Sequence, residues 1–288
     1  VAGRGAGLRG TPWGAPARHG AAGIIATQGG RDMGTGLPAP YAVATHGKTI
    51  LVARREALDW AQSALERAGT LYAYAAGREG ARVLQGRGPA YCIDGPTGAC
   101  VVRHYRRGGE VARWLGDRYL HAGEPRPLRE LRASEEVRRR GIDTPVVLAL
   151  AIYPAGAFYR ADIATAFVPG AHDMAAALFG PRSLEGADRL AAWAAAGSLL
   201  RALGERGVAH ADLNLKNVLL DTSERPFRVM LLDLDRCRVA PRLTALARLG
   251  MLRRFRRSAA KWAKMAGRTI TDEERRAFER AYRGGTLG

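Results

Sequence analysis

The chain has 288 residues, 47% of them apolar, and 45 Lys and Arg stand against 27 Asp and Glu, a formal charge of +18. That is enough for one large domain or two modest lobes, and such a charge favours anionic partners: nucleic acid, anionic lipid, or a phosphorylated or carboxylated substrate. The sparse cysteines, Cys92, Cys100 and Cys237, argue against a disulfide framework and a metal site, and no run reaches the ~18 apolar residues of a membrane span.

In chain order, residues 1–45 are rich in Gly, Ala, Arg and Pro without a sustained period, and are expected to be a disordered leader. They lack the basic region and apolar block of a signal peptide. Ile50 to Ala68 reads as a helix, with Leu51, Val52, Leu58, Ala61 and Leu65 near helical spacing. From Arg82 to His104 the pattern turns to strands. Val83-Leu84-Gln85 leads through Gly86-Arg87-Gly88 to Ala90–Ile93, and Asp94-Gly95-Pro96 turns the chain into Ala99–Arg103. A helix over Leu128–Arg140 stops at Gly141. Val146–Tyr153 and Arg160–Phe167 give two more strands. Past Val168-Pro169-Gly170 the chain becomes helical: Leu184–Arg206 is an apolar helix ended by Gly207, and Thr271 with Glu274 forms a capping box ahead of the last helix. The fold class expected is α+β and bilobal. Residues 46–167 form a small lobe with an antiparallel sheet plus a helix, and residues 168–288 a mostly helical catalytic lobe with a basic tail.

The chemistry concentrates in His210-Ala211-Asp212-Leu213-Asn214-Leu215-Lys216-Asn217 and in Leu231-Leu232-Asp233-Leu234-Asp235. A histidine and an aspartate alone would make an ordinary turn. Here an Asp, an Asn five residues on and a second Asp beyond a short hairpin each bound an apolar run. That is the equipment of phosphoryl transfer: one carboxylate orients the acceptor hydroxyl, and the amide and second carboxylate hold metal ions. The hairpin runs through Val218–Leu220 and Arg228–Leu232.

The chain resembles the 3-deoxy-D-manno-octulosonic acid (Kdo) kinases, the lipopolysaccharide-core branch of the protein-kinase-like superfamily. The likeness covers roughly Gly86 to Tyr282. It is carried by Val102-Arg103-His104-Tyr105-Arg106-Arg107-Gly108-Gly109, by Ile163–Gly170, by His210–Leu220 and by Leu231–Arg236. It implies ATP-dependent phosphorylation of the 4-hydroxyl of Kdo on a lipid A precursor, with Mg²⁺. Carried over residue by residue, Asp212 matches the catalytic base, and Asn217 and Asp233 the metal ligands. Gly86 and Gly88 match the turn over the phosphates, although a glycine pair by itself reads as a plain hairpin. Arg103 falls where a phosphate-touching Lys usually stands, and Glu130 where its carboxylate partner sits, with a surface acid on a charged helix as the competing reading. Asp235 and Leu234 depart from the usual D-F-G; Asp235 has room to bind metal or to hold Arg236. No A-P-E segment follows, which argues against a protein substrate.

Between Arg236 and Arg268 there are eleven Lys or Arg and no acid, interleaved with Leu243, Leu246, Leu249, Leu252, Phe255 and Trp262. In a kinase of this type the stretch suits a Kdo–lipid A substrate at an anionic membrane surface. Arg106, Arg107 and Arg236 are candidates for the sugar carboxylate or the membrane. The expected location is the cytoplasmic face of the inner membrane of a Gram-negative bacterium. No nucleic-acid module is recognisable, so no nucleic acid is expected. Two alternatives stay open: a related kinase for a core heptose or an aminoglycoside, and a non-catalytic kinase-like binding module.

Overall fold

The computed structural model describes residues 36–84, 88–106 and 116–284. Its first half is built on one antiparallel sheet. The hairpin β1 (Tyr41–His46) and β2 (Thr49–Arg54) leads into helices α1 (Leu58–Ala68) and α2 (Leu71–Ala76). Next come β3 (Arg82–Leu84), β4 (Ala90–Gly95), β5 (Gly98–His104) and the short β6 (Tyr119–Leu120). Helix α3 (Arg126–Arg139) and the long hairpin β7 (Val147–Ala155) and β8 (Phe158–Ala166) complete this half. In space the strands run β1-β2-β7-β8-β5-β4-β3, and β6 pairs with the start of β8.

Two sequence expectations are corrected here. Strand pairing begins at Tyr41, inside the stretch expected to be a leader; residues 1–35 lie outside the described residues. The helix expected from Ile50 begins only at Leu58, because Ile50, Leu51 and Val52 belong to β2. That strand lies between β1 and β7, with Leu51, Val52 and Ala53 at 0% exposure. A strand covered on both faces reads as a continuous apolar run, and a run of that length does not distinguish strand from helix. The edge strand is tied in by Tyr41, whose hydroxyl contacts the Val147 carbonyl at 2.6 Å and Glu135 Oε1 at 3.0 Å.

Side chains alternate across a strand. On one face of the sheet Ala61, Ala64, Leu65 and Leu71 of α1 and α2 pack with Leu51, Val102, Ala149 and Ala164. The opposite face carries Arg103 and receives α3, which offers Glu130 to it. The helical cover of the small lobe is therefore α1, within the helix expected up to Ala68, together with α2, which the sequence reading did not foresee, and α3 lies on the other face.

The second half is mostly helical. It contains β9 (Ala171–Asp173), α4 (Met174–Phe179), α5 (Gly186–Glu205), β10 (Val208–His210), β11 (Val218–Asp221), β12 (Arg228–Leu231) and β13 (Cys237–Val239), then α6 (Ala245–Met265) and α7 (Asp272–Arg283). Its core joins Leu178, Trp193, Leu203, Leu213, Leu220, Phe255 and Phe278. Two glycines make close approaches that no other residue allows. A Cβ on Gly197 of α5 would sit 2.3 Å from the Phe278 carbonyl oxygen, so α7 packs directly on the α5 backbone. Gly207 has φ +71° and would meet the Ala240 carbonyl oxygen at 1.9 Å, which lets β10 pair with β13 beside the loop that carries Asp212. The capping box at Thr271 and Glu274 forms as expected.

Candidate active site

The loop after β10 is held by its own side chains. Nε2 of His210 lies 3.0 Å from the Leu232 carbonyl, and Nδ1 lies 3.2 Å from the Asp212 backbone nitrogen. The imidazole therefore donates through Nε2–H and accepts at Nδ1 from the Asp212 N–H, a neutral ring in a fixed tautomer. Its 1% exposure suits that state. Burial is the main force pulling its pKa below the usual value, against the partial compensation of the Leu232 carbonyl. Asn214 and Asn217 both donate from Nδ2 to the Asp212 carbonyl, each at 2.9 Å. The backbone of Asp212 is thus bracketed from two sides, and the residue is half-buried.

The hairpin brings the second carboxylate to this loop. In the β11–β12 register Val218 faces Leu231, so Asn217, just before β11, comes opposite Leu232, just after β12. The Leu232 N–H donates to the Asn217 carbonyl at 2.9 Å. Asp233 follows with φ 59° and ψ 61°, the one non-glycine residue with positive φ among the described residues. Asp tolerates this conformation better than most residues, and such backbone strain is characteristic of functional turns. Because the Asn217 amide nitrogen is committed to Asp212, its Oδ1 is the atom left for a ligand.

Arg103 and Glu130 meet as their spacing suggested. Arg103 donates to Glu130 Oε1, and the Tyr105 hydroxyl donates to Oε2 of the same carboxylate. Glu130 is 5% exposed, which removes the reading of a surface acid. Burial works against the charge on Arg103, but Glu130 first, then Tyr105 and Asp233, outweigh it and hold the guanidinium charged. The influence of Asp233 ties this pair electrostatically to the end of the β11–β12 hairpin.

The family model of the lipopolysaccharide kinase (Kdo/WaaP) family matches residues 77–282 of the chain. The chain belongs to that family. The kinase is 34% identical over 209 residues to the 3-deoxy-D-manno-octulosonic acid kinase of Stenotrophomonas maltophilia (strain R551-3), covering 70% of this chain and 79% of that one. It is 33% identical over 199 residues to the protein of the same name in Xanthomonas axonopodis pv. citri (strain 306), covering 68% and 76%. A solved structure of WaaP in complex with acyl carrier protein is similar at a TM-score of 0.48 and 17% identity, covering 76% of this chain and 85% of that one. The fold is the bilobal α+β arrangement expected, and the activity that of a lipopolysaccharide kinase.

Other residues of the kinase are placed less simply. Asp235 does not pair with Arg236: its Oδ2 lies 3.6 Å from Nη1 of Arg126 at the start of α3. Burial raises its pKa most, Asp233 and Glu130 raise it further, and Arg126 opposes them. Arg236 is exposed at the end of the Leu234–Arg236 turn. Gly88 carries the Arg106 side chain so close that a Cβ there would lie 2.7 Å from Arg106 Cδ, so Arg106 sits at the β3–β4 hairpin. Gly86 and Arg107 lie outside the described residues.

The sequence reading missed Tyr105 and Arg126, and with them a network on the other side of β5. His104 places Nδ1 2.6 Å from Asp162 Oδ1 and Nε2 3.0 Å from Asp117 Oδ2. Asp162, fully buried, also accepts from the Tyr153 hydroxyl at 2.7 Å and from the Tyr72 N–H at 2.9 Å. Burial alone would lower the His104 pKa, but the two carboxylates raise it, and the ring is held as an imidazolium. The Arg-His-Tyr run was the available signal: Arg103 and Tyr105 point to α3, and His104 between them points to α2.

Proposed function

We propose that this kinase transfers the γ-phosphoryl group of ATP to the 4-hydroxyl of Kdo on a lipid A precursor. The observation that carries this reading is the convergence of Asp212, Asn217 and Asp233 through the β11–β12 register, in a chain of the lipopolysaccharide kinase family. Relatives that carry the name 3-deoxy-D-manno-octulosonic acid kinase supply the choice of acceptor.

In this reading the Asp212 carboxylate aligns the sugar hydroxyl and takes its proton as the bond to phosphorus forms. Arg103, steadied by Glu130 and Tyr105, supports the ATP phosphates. Asn217 Oδ1 and the Asp233 carboxylate are hard oxygen donors of the kind Mg²⁺ prefers, and would hold it. When bound, Mg²⁺ neutralises charge on the phosphates and aligns them for attack.

No helix among the described residues is long and apolar enough to cross a membrane. α6 exposes Arg253, Arg256, Arg257, Lys261 and Lys264, with Leu246 at 80% and Leu249 at 39% exposure near its start. This face suits adsorption to the anionic cytoplasmic leaflet, where each basic residue contributes ~1 kcal/mol. The test is incubation with ATP, Mg²⁺ and Kdo-lipid IVA, followed by mass spectrometry. The expected product is heavier by one phosphate on the Kdo residue. Transfer to a heptose or an aminoglycoside, with none to Kdo, overturns the choice of acceptor. Absence of ATP binding overturns the kinase assignment itself.

A further inference from the structure

Helix α6 occupies the flank of the catalytic loop. At one end the His210 N–H donates to Met251 Sδ at 3.3 Å, and further along the Leu215 N–H donates to Ser258 Oγ at 3.2 Å. Beyond them Lys216 Nζ lies 5.8 Å from the centre of the Trp262 ring. Loop and helix therefore run side by side, 210 against 251 and 215 against 258. Positions 251, 254, 255, 258 and 262 share one face of a helix with 3.6 residues per turn. The turn between the two anchor points carries Arg254 and Phe255, at the register of Asp212 and Leu213. Phe255 and Leu213 are buried in the large lobe's core. Arg254 is exposed, and no ion pair holds it among the described residues. Its charge is felt at His210.

A cation at that position faces the ground where an acceptor must rest to present its hydroxyl to Asp212. We propose that Arg254 binds the carboxylate of the sugar that bears the reacting hydroxyl, and so helps select an acidic sugar as acceptor; this rests on the Kdo kinase reading above. A guanidinium offers the planar pair of N–H donors that matches a carboxylate. The register of Arg254 with Asp212 favours a charge on the reacting sugar over one on the more distant lipid. In protein kinases this flank belongs to the activation segment; here the chain passes from Asp235 through β13 to α6, and the helix supplies the wall.

The experiment compares the wild-type kinase with Arg254→Gln and Arg254→Lys on three acceptors: Kdo-lipid IVA, its Kdo methyl ester, and the same lipid stripped of its lipid A phosphates. Arg276→Gln, on the exposed surface of α7, serves as the control for loss of one positive charge. The expected result is a rise in KM for Kdo-lipid IVA of roughly tenfold to a hundredfold in Arg254→Gln. KM for ATP and the slow hydrolysis of ATP by water stay at the wild-type level, and Arg254→Lys falls between. The methyl ester penalises the wild type by a similar factor and adds nothing in Arg254→Gln, the signature of a direct pair. An unchanged acceptor KM, or an ester penalty undiminished in the variant, overturns the proposal. A variant penalty that vanishes only on the dephosphorylated lipid also overturns it and moves Arg254 to a lipid phosphate. Failure of the wild type on every Kdo acceptor, with ATP hydrolysis intact, instead defeats the acceptor reading on which the proposal stands.

Discussion

On the proposed mechanism, replacing Asp212 by Asn removes the proton acceptor while leaving the loop that carries it. The structure separates these two roles. Asn214 and Asn217 hold the Asp212 carbonyl, and the Asp212 N–H donates to His210; these three hydrogen bonds run through backbone atoms that the substitution keeps. The side chain is half-buried and changes little in volume. The stability change should stay within about 1 kcal/mol, or roughly 2–4 °C in Tm. Loss of a positioned general base costs roughly a hundredfold to ten-thousandfold in rate, equivalent to about 3–5 kcal/mol of barrier. The assay is kcat and KM for phosphate transfer to Kdo-lipid IVA, with ATP affinity measured by calorimetry on the same preparation. The expected outcome is a fall in kcat over that range with ATP affinity within about threefold of wild type. A kcat within tenfold of wild type would refute Asp212 as the base. A loss explained by weaker ATP binding would instead assign it to the nucleotide site.

Three further outcomes follow from the same geometry. Asp233→Asn should raise the Mg²⁺ concentration needed for half-maximal activity; an unchanged metal titration removes Asp233 from the ligand pair. Tyr105→Phe strips one donor from the buried Glu130 carboxylate and should lower stability by about 1.5–3 kcal/mol, with weaker ATP affinity as Arg103 loses its alignment; wild-type denaturation and ATP affinity together would show that Glu130 needs only Arg103. His104→Gln tests the imidazolium between Asp162 and Asp117. The His104 pKa is raised above its ordinary 6.5, so its stabilisation is fully present below pH 6.5 and is lost as pH rises through the folded-state value. The Tm difference between wild type and His104→Gln should accordingly be largest on the acid side and shrink at alkaline pH; a difference independent of pH would mean that the ring is held neutral.

Much of the candidate site's arrangement was readable because its spacing is local. The offsets from His210 to Asp212 and Asn217 lie within one turn of loop, and a short antiparallel hairpin returns Asp233 to the same place. Apolar runs that bound each polar residue mark both the hairpin strands and the core they enter. The pairing of Arg103 with Glu130 was readable for a weaker reason, the order of strand and helix in a kinase-like lobe. By contrast, β2 was misread as the start of a helix, since a strand buried on both faces shows no period of its own, and β1, a largely exposed edge strand, was read as part of the leader. Tyr105 beside Glu130, Arg126 beside Asp235 and His104 between two aspartates join segments far apart in the chain, and nothing in their local spacing announces them.

The amino-acid sequence by itself thus determined the family and the reaction class and nominated the polar residues of the candidate site, because those depend on residue types at short, fixed separations. The tertiary structure alone decided which carboxylate each cation meets, that α1 and α2 cover the sheet, and that α6 lays Arg254 beside the catalytic loop. Such pairings depend on the register of strands and the packing of helices. They are selected by burial and by the cost of leaving a buried charge unpaired, and both act only once distant parts of the chain come together.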